Sequence, residues 1–218
     1  MTLILGIDEA GRGPVLGPMV VAGVVIDEKD EAMLKKIGVK DSKMLSPKQR
    51  EKLAIEIRKI AKGIETVILS AKQLDELMQI MSLNDIELNA MAKIINKLHA
   101  DSIYLDLPSN GPGFMIGLRA KIEKKDRMII AEHKADSKYI CVGAASIIAK
   151  TTRDSIISEI QKKYAKYGDI GSGYPADERT TNFLKNYLKT EGKLPEEVRN
   201  SWATTKELLK KDKQKTLI

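Results

Sequence analysis

The chain is short of several things, and each shortage excludes something. Only one of its 218 residues is cysteine, Cys141. That rules out an intramolecular disulfide framework and a cysteine-rich zinc site, and it points to a reducing, cytoplasmic setting. Aromatic residues make up 4% of the chain, too few for the stacking platform of a general single-strand binder. No apolar run approaches the roughly 20 residues of a membrane-spanning helix, so no membrane partner is expected. The N-terminus has no basic segment ahead of an apolar stretch, and no secretory leader is expected. Internal repeats and low-complexity linkers are also missing, and nothing in the pattern calls for a second chain, so a monomer is expected.

What is present is a globular composition, 43% hydrophobic, with 37 Lys and Arg against 30 Asp and Glu, a net charge of +7. An excess of cations is compatible with a polyanionic partner, because Lys and Arg neutralise phosphates and release counterions.

The apolar run Leu3, Ile4, Leu5, Ile7 predicts a buried strand over 3–8, and the β-branched "MVVAGVVI" over 19–26 predicts a second. Few residues separate them, which suits an antiparallel pair. Ser46 followed by Pro47 marks a helix start. Leu53, Ile57 and Ile60 form its apolar stripe, and Gly63 is expected to end it. "ETVILS" (65–70) predicts a third strand, and 70–100 a short and a long helix. Strands are expected at "DSIYLDLP" (101–108) and "RMIIAEHKAD" (127–136), then a long helix over 142–168 and a mixed loop and helix region after Gly168. The order predicts a mixed α/β sheet flanked by helices, with a helical subdomain in the last quarter.

Three acids share a position in this pattern. Asp8, Asp106 and Asp136 each close an apolar run just before turn or loop sequence. Sites gather at strand ends of open α/β sheets. Acids brought together there repel unless cations compensate them. Oxygen-only ligands favour hard Mg²⁺ or Mn²⁺, and two such ions about 4 Å apart suit phosphodiester cleavage. Glu9 sits beside Asp8, yet strand alternation sends neighbouring side chains to opposite faces. Either the strand breaks at Glu9, or Glu9 offers its backbone carbonyl.

Five segments in order, "GIDEAGRGPVLGP", "GVKDSKMLS", "YLDLPS", "EHKADSKYICVGAASIIAKTTRD" and "GSGYP", resemble type 2 ribonuclease H, ribonuclease HII, and its archaeal branch in particular. The resemblance implies a ribonuclease-H-like mixed β-sheet over residues 1–170, with 171–218 as a C-terminal helical and tail region packed on it. It implies a metal-dependent endoribonuclease of DNA replication and repair. Such an enzyme cuts the RNA strand of RNA–DNA hybrids, and 5′ of ribonucleotides embedded in duplex DNA, leaving 3′-hydroxyl and 5′-phosphate. By this likeness Asp8, Glu9, Asp106 and Asp136 are the catalytic, metal-holding acids. Gly11, Arg12 and Gly13 form a turn whose backbone meets the ribose 2′-hydroxyl, with Arg12 on a neighbouring phosphate. Tyr174 packs on the ribonucleotide. Lys40, Ser42 and Lys43 contact phosphate, and Ser146, Lys150 and Arg153, at helical spacing, track the DNA strand. Gln214 to Leu217 resembles the start of a sliding-clamp docking peptide. A small-molecule phosphohydrolase would share the metal chemistry but would have no use for the Gly-Arg-Gly turn, and a catalytically dead binding module would lack the acids.

Other features carry less. "GPGFMIG" (111–117) lacks the Gly-Lys-Ser/Thr ending of a phosphate loop and is expected to be a flexible loop. His133 and His99 are expected to pack or cap. Asp154 is expected to be structural, Cys141 buried and inert, the methionines 78, 81 and 91 core, and Trp202 an anchor for the tail.

Overall fold

The computed structural model describes residues 1–39, 45–108 and 112–216. Lys40, Ser42 and Lys43, and the last residue of the Gln214–Leu217 motif, lie outside the described residues.

The two N-terminal apolar runs become β1 (Leu3–Ala10) and β2 (Met19–Asp27), paired antiparallel from Leu3↔Asp27 to Ala10↔Val20. A 3₁₀ turn at Glu28–Asp30 leads into α1 (Glu31–Lys36). Then follow α2 (Pro47–Ile60), β3 (Gly63–Leu69), α3 (Ala71–Leu77), α4 (Leu83–Lys97), β4 (Ser102–Asp106), α5 (Pro112–Lys121), β5 (Met128–Glu132), α6 (Ala135–Lys138), α7 (Ile140–Lys163), α8 (Glu178–Glu191) and α9 (Ala203–Thr216). The sheet order is β3-β2-β1-β4-β5, with β4 parallel to β1 and β5 parallel to β4. The mixed sheet flanked by helices is as the pattern predicts.

Ser46 does start α2: its hydroxyl accepts from the Gln49 amide while Gln49 Oε1 accepts from the Ser46 amide, a reciprocal cap. Ser70 and Ser82 cap α3 and α4 in the same way. Three expectations are corrected. Helix α2 ends at Ile60, where Ala61 still donates to Ile57, and Gly63 opens β3 instead of stopping the helix. The segment expected to be a loop at 111–117 is helical from Pro112 (Gly111 itself is outside the described residues). Phe114, Leu118 and Ile122 recur every four residues and are buried, a stripe that its glycines mask. Strand β5 stops at Glu132, because Lys134 takes a left-handed conformation (φ 57°) that turns the chain into α6, so Asp136 is a helical residue and not a strand-end one.

The chain packs as two units that do not follow chain order: 1–10, 20–68 and 82–152 in one, and 11–19, 69–81 and 153–218 in the other. The first unit holds the sheet. Its core joins Ile4, Val20, Ala22, Val24 and Ile26 to Val142, Ala145, Ile148 and Ala149 of α7. The approach is close enough that a Cβ on Gly6 would meet the Cys141 carbonyl carbon at 2.1 Å. Each fully buried Val or Ile contributes about 1.5–3 kcal/mol. The buried apolar residues of β2 therefore offset the several kcal/mol that enclosing one carboxylate on β1 costs. The second unit has its own core of Val15, Leu16, Ile160, Tyr164, Ile170, Phe183, Leu184, Tyr187 and Val198. Gly192, left-handed at φ 67°, ends α8.

Candidate active site

Strand register places two of the expected acids together. The last β1–β4 pair is Ile7↔Leu105, so Asp8 and Asp106, one residue further on each strand, sit at the same end of neighbouring parallel strands. Asp8 is 3% exposed. Burial, first, and the negative charge of Glu9 push its carboxyl well above the usual carboxylate range. Lys150 and a hydrogen bond with Ser146 pull against that, and Asp106 adds to it. Asp8 Oδ1 also accepts from the Glu9 amide at 2.8 Å. Strand β1 runs on through Glu9, which pairs with Val21. The strand therefore does not break there, and the two side chains leave on opposite faces.

Asp106 Oδ1 accepts from the Ala135 amide at 2.9 Å, tying the end of β4 to the first turn of α6. That contact fixes the segment that carries Asp136, which is 3% exposed. The acid level with Asp106 on β5 is Glu132, and it is engaged elsewhere. It bonds Lys138 and accepts from the Tyr139 hydroxyl at 2.8 Å, and the two lower its pKa. Among the described residues, no three His, Cys, Asp or Glu side chains are gathered into a ready cage for an ion. The donor set nevertheless fits a hard cation: the acids are all oxygen donors, and Asp8 is an enclosed carboxylate under two like charges.

Ser146 and Lys150 turn out to serve Asp8. Ser146 is fully buried and accepts from Lys150 Nζ at 2.6 Å, so the pair forms a polar chain leading to the Asp8 carboxyl. Arg153, expected with them to track the DNA strand, is enclosed among backbone carbonyls. It is 6% exposed and donates to the carbonyls of Leu16 (3.3 Å) and Ser172 (3.2 Å). Its guanidinium lies 5.5 Å from the Tyr174 ring centroid.

In the second unit the two glycines of the Gly-Arg-Gly turn differ. Gly11 is left-handed (φ 83°), and a Cβ there would meet Arg153 Nε and the Pro18 carbonyl at 2.5 Å. Gly13 is exposed and not left-handed, and a Cβ there would lie 3.5 Å from the Tyr174 ring, ordinary contact. Tyr174 is 42% exposed. Gly13 and one edge of the Tyr174 ring thus lie side by side, both exposed. Arg12, between the glycines, is half-buried.

The ribonuclease HII family model matches residues 5–205. The chain belongs to the ribonuclease HII family. It is 48% identical over 231 residues to ribonuclease HII of Methanocaldococcus jannaschii, covering 99% of each chain. Among solved structures it is similar to the ribonuclease H2 of Pyrococcus horikoshii OT3 (TM-score 0.89, 40% identity, 98% of this chain and 100% of that one). It is also similar to Archaeoglobus fulgidus RNase HII, solved as a complex with PCNA (TM-score 0.82, 44% identity, 92% and 95%). A more distant likeness, to Bst RNase HIII solved with Mn²⁺ (TM-score 0.74, 22% identity, 98% and 71%), bears on the fold alone.

Membership makes the chain a ribonuclease H-type endoribonuclease on a ribonuclease-H-like fold. No helix among the described residues is long and apolar enough to cross a membrane. Cys141 is buried and its thiol is pushed up to about 12, chiefly by burial, which makes it inert at neutral pH. Trp202 packs on the second core and under the Arg199 guanidinium, the anchoring role expected of it. Sequence reasoning missed Arg199, Asp75 and Thr180. Thr180 donates to the Ile170 carbonyl (2.8 Å) and accepts from the Gly173 amide (3.0 Å), and so shapes the "GSGYP" segment. Thr180 does continue the buried stripe of Phe183, Leu184 and Tyr187 in α8, but as a polar residue it does not read as part of it.

Proposed function

We propose that the chain cuts the RNA strand of RNA–DNA hybrids, and 5′ of ribonucleotides embedded in duplex DNA, by hydrolysis that leaves 3′-hydroxyl and 5′-phosphate ends. The observation that carries this reading is the enclosed Asp8 carboxyl, level with Asp106 and under the charge of Glu9. A fold with no catalytic use for it would replace such a residue with an apolar one. Asp8, Glu9, Asp106 and Asp136 are the residues that would hold the divalent cations, Mg²⁺ or Mn²⁺, two per site with substrate. When bound, the cations supply Lewis-acid charge to a phosphodiester and acidify water.

The chain's own residues do the rest. Ser146 and Lys150 orient Asp8 and favour its charged form against the effect of burial. The Gly11-Arg12-Gly13 turn and Tyr174 select a ribose by its 2′-hydroxyl, the group that separates RNA from DNA. Arg12, Lys40, Ser42 and Lys43 meet phosphates. The family likeness to a protein solved with PCNA supports a sliding clamp as a partner of the C-terminal segment. One chain suffices for this chemistry.

The test is a duplex with one embedded ribonucleotide, incubated with Mg²⁺, with chelator, and with Asp8→Asn. A single nick 5′ of the ribonucleotide, abolished by chelator and by the substitution, is expected. Full cleavage by Asp8→Asn removes Asp8 from its role.

A further inference from the structure

The loop 11–18 carries glycines at 11, 13 and 17 and prolines at 14 and 18, and the prolines offer no N–H. It is therefore short of local donors for its own carbonyls. Two arginines from elsewhere in the same unit supply them. Arg199 donates to the carbonyls of Gly11 (2.7 Å), Arg12 (3.1 Å) and Gly17 (2.9 Å), and its backbone amide donates to Val15 (2.8 Å). Arg153 takes Leu16. Arg199 is 0% exposed. Its three side-chain acceptors are all carbonyls, and Trp202 lies over the guanidinium at 4.7 Å. Enclosing a guanidinium beside a second cation costs several kcal/mol, and burial together with Arg153 lowers its pKa to about 9. Apolar packing would stabilise a loop more cheaply, so this arrangement suits a loop whose shape matters.

The support continues one step further out. The Asp75 carboxylate accepts from the amides of Asn200 (2.7 Å) and Ser201 (2.9 Å) and from the Ser201 hydroxyl (2.6 Å). It thereby fixes the two residues that follow Arg199. On the inner side of the turn, Gly11 packs against Arg153, which lies on the Tyr174 ring.

We propose that Arg199 is a positioning residue for ribose recognition: by its grip on the Gly11 and Arg12 carbonyls it sets the turn in the shape that leaves Gly13 open before Tyr174. This deepens the proposed function and rests on its reading of the turn as the ribose reader. Lysine cannot take the place of arginine, because a single ammonium lacks the planar fork that spans three carbonyls.

The assay is steady-state cleavage of the one-ribonucleotide duplex, with an all-DNA duplex of the same sequence as competitor. The readout is the ratio of the DNA inhibition constant to the KM for the ribonucleotide duplex. Loss of folded protein lowers kcat and leaves this ratio alone, whereas a misplaced ribose reader lowers the ratio. Arg199→Lys is expected to cut the ratio about tenfold. Asp75→Asn, which leaves Arg199 in place, is expected to cut it about threefold, and it carries the test if Arg199→Lys does not fold. Gly13→Ala, placed in the turn itself, is the control. If Gly13→Ala lowers the ratio while Arg199→Lys or Asp75→Asn, folded, leaves it at the wild-type value, the positioning role is overturned and the ribose reader stands. If Gly13→Ala also leaves it unchanged, the turn is not the ribose reader and both fall together.

Discussion

Alanine at the two glycines of the turn should have opposite consequences, and the distances say why. At Gly11 the φ of 83° lies where an L side chain is strained, and the new Cβ would stand 2.5 Å from a backbone oxygen, that of Pro18, and from Arg153 Nε. The backbone strain alone is about 1–3 kcal/mol. At ~2–4 °C per kcal/mol for a chain of this size, Gly11→Ala should lower Tm by roughly 2–12 °C. At Gly13 the backbone is not left-handed, and the Cβ would meet only the Tyr174 ring at 3.5 Å. Removing a glycine there restricts the unfolded chain and stabilises by about 0.4–1 kcal/mol, so Gly13→Ala should melt at the wild-type temperature or a few degrees above it. The methyl group nevertheless adds bulk to the exposed turn beside the Tyr174 ring, where the proposed ribose contact is made. A displacement on the order of 1 Å costs about 10²-fold in rate. Gly13→Ala should therefore be stable and about 10²-fold slower in kcat/KM on the one-ribonucleotide duplex, read by gel-resolved initial rates beside a thermal melt. A stable Gly13→Ala with cleavage within threefold of wild type would refute substrate approach at this face. A fall in its Tm would refute the geometry.

Other outcomes follow from the same structure. Asp8→Asn should lower cleavage by about 10³-fold, the worth of roughly 4 kcal/mol of transition-state charge stabilisation. It should raise the Tm of the metal-free protein, because it removes an enclosed carboxylate under like charges, with a gain of about 0.5–2 kcal/mol. An unchanged or lower Tm in chelator speaks against the electrostatic account of Asp8. Ser46→Ala removes a reciprocal cap and should cost about 1 kcal/mol, or ~2–4 °C in Tm, with cleavage untouched. Burial raises the pKa of Asp75, but the hydrogen bonds from Ser201 and Asn200 outweigh it and leave the carboxyl below its ordinary value near 3.8. A depressed folded-state pKa contributes stability above the unfolded value and loses it as pH falls through the folded one. The Tm advantage of wild type over Asp75→Asn should accordingly hold at neutral pH and shrink below about pH 4; a gap that stays constant into strong acid contradicts the assignment.

The parts of this molecule that were legible in the sequence are those that local chemistry decides. β-branched runs became β1 and β2, Ser46-Pro47 began a helix, and Asp106 closed a strand. Register then brought Asp8 and Asp106 level without further information. The choice left open at Glu9 is narrowed by an intact β1: the side chains of Asp8 and Glu9 diverge, as period-two geometry requires. Legibility failed where a single backbone dihedral decided the outcome. Lys134 adopts the left-handed region without the glycine or asparagine that usually announces it, so the strand expected through Asp136 stops four residues early, at Glu132, and hands Asp136 to a helix. It failed again at 112–121, where two glycines and a proline hid a four-residue apolar repeat.

Arg199 shows a subtler kind of blindness. Periodicity and motif reading ask what a residue does in its own element, and by that measure an arginine in a loop near the C-terminus is a solvated charge. The demand for it is written almost 190 residues upstream, in a loop whose prolines offer no amide and whose glycines bring carbonyls inward. Buried carbonyls must be met by donors. When a short loop cannot supply them, a side chain with five N–H groups is the most economical source, and burying its charge is the accompanying penalty. A glycine- and proline-rich loop is thus a reason to look for an enclosed arginine whose hydrogen bonds go to backbone carbonyls, wherever in the chain it falls. Here that rule selects Arg199 and Arg153, and Arg153 meets the Leu16 and Ser172 carbonyls.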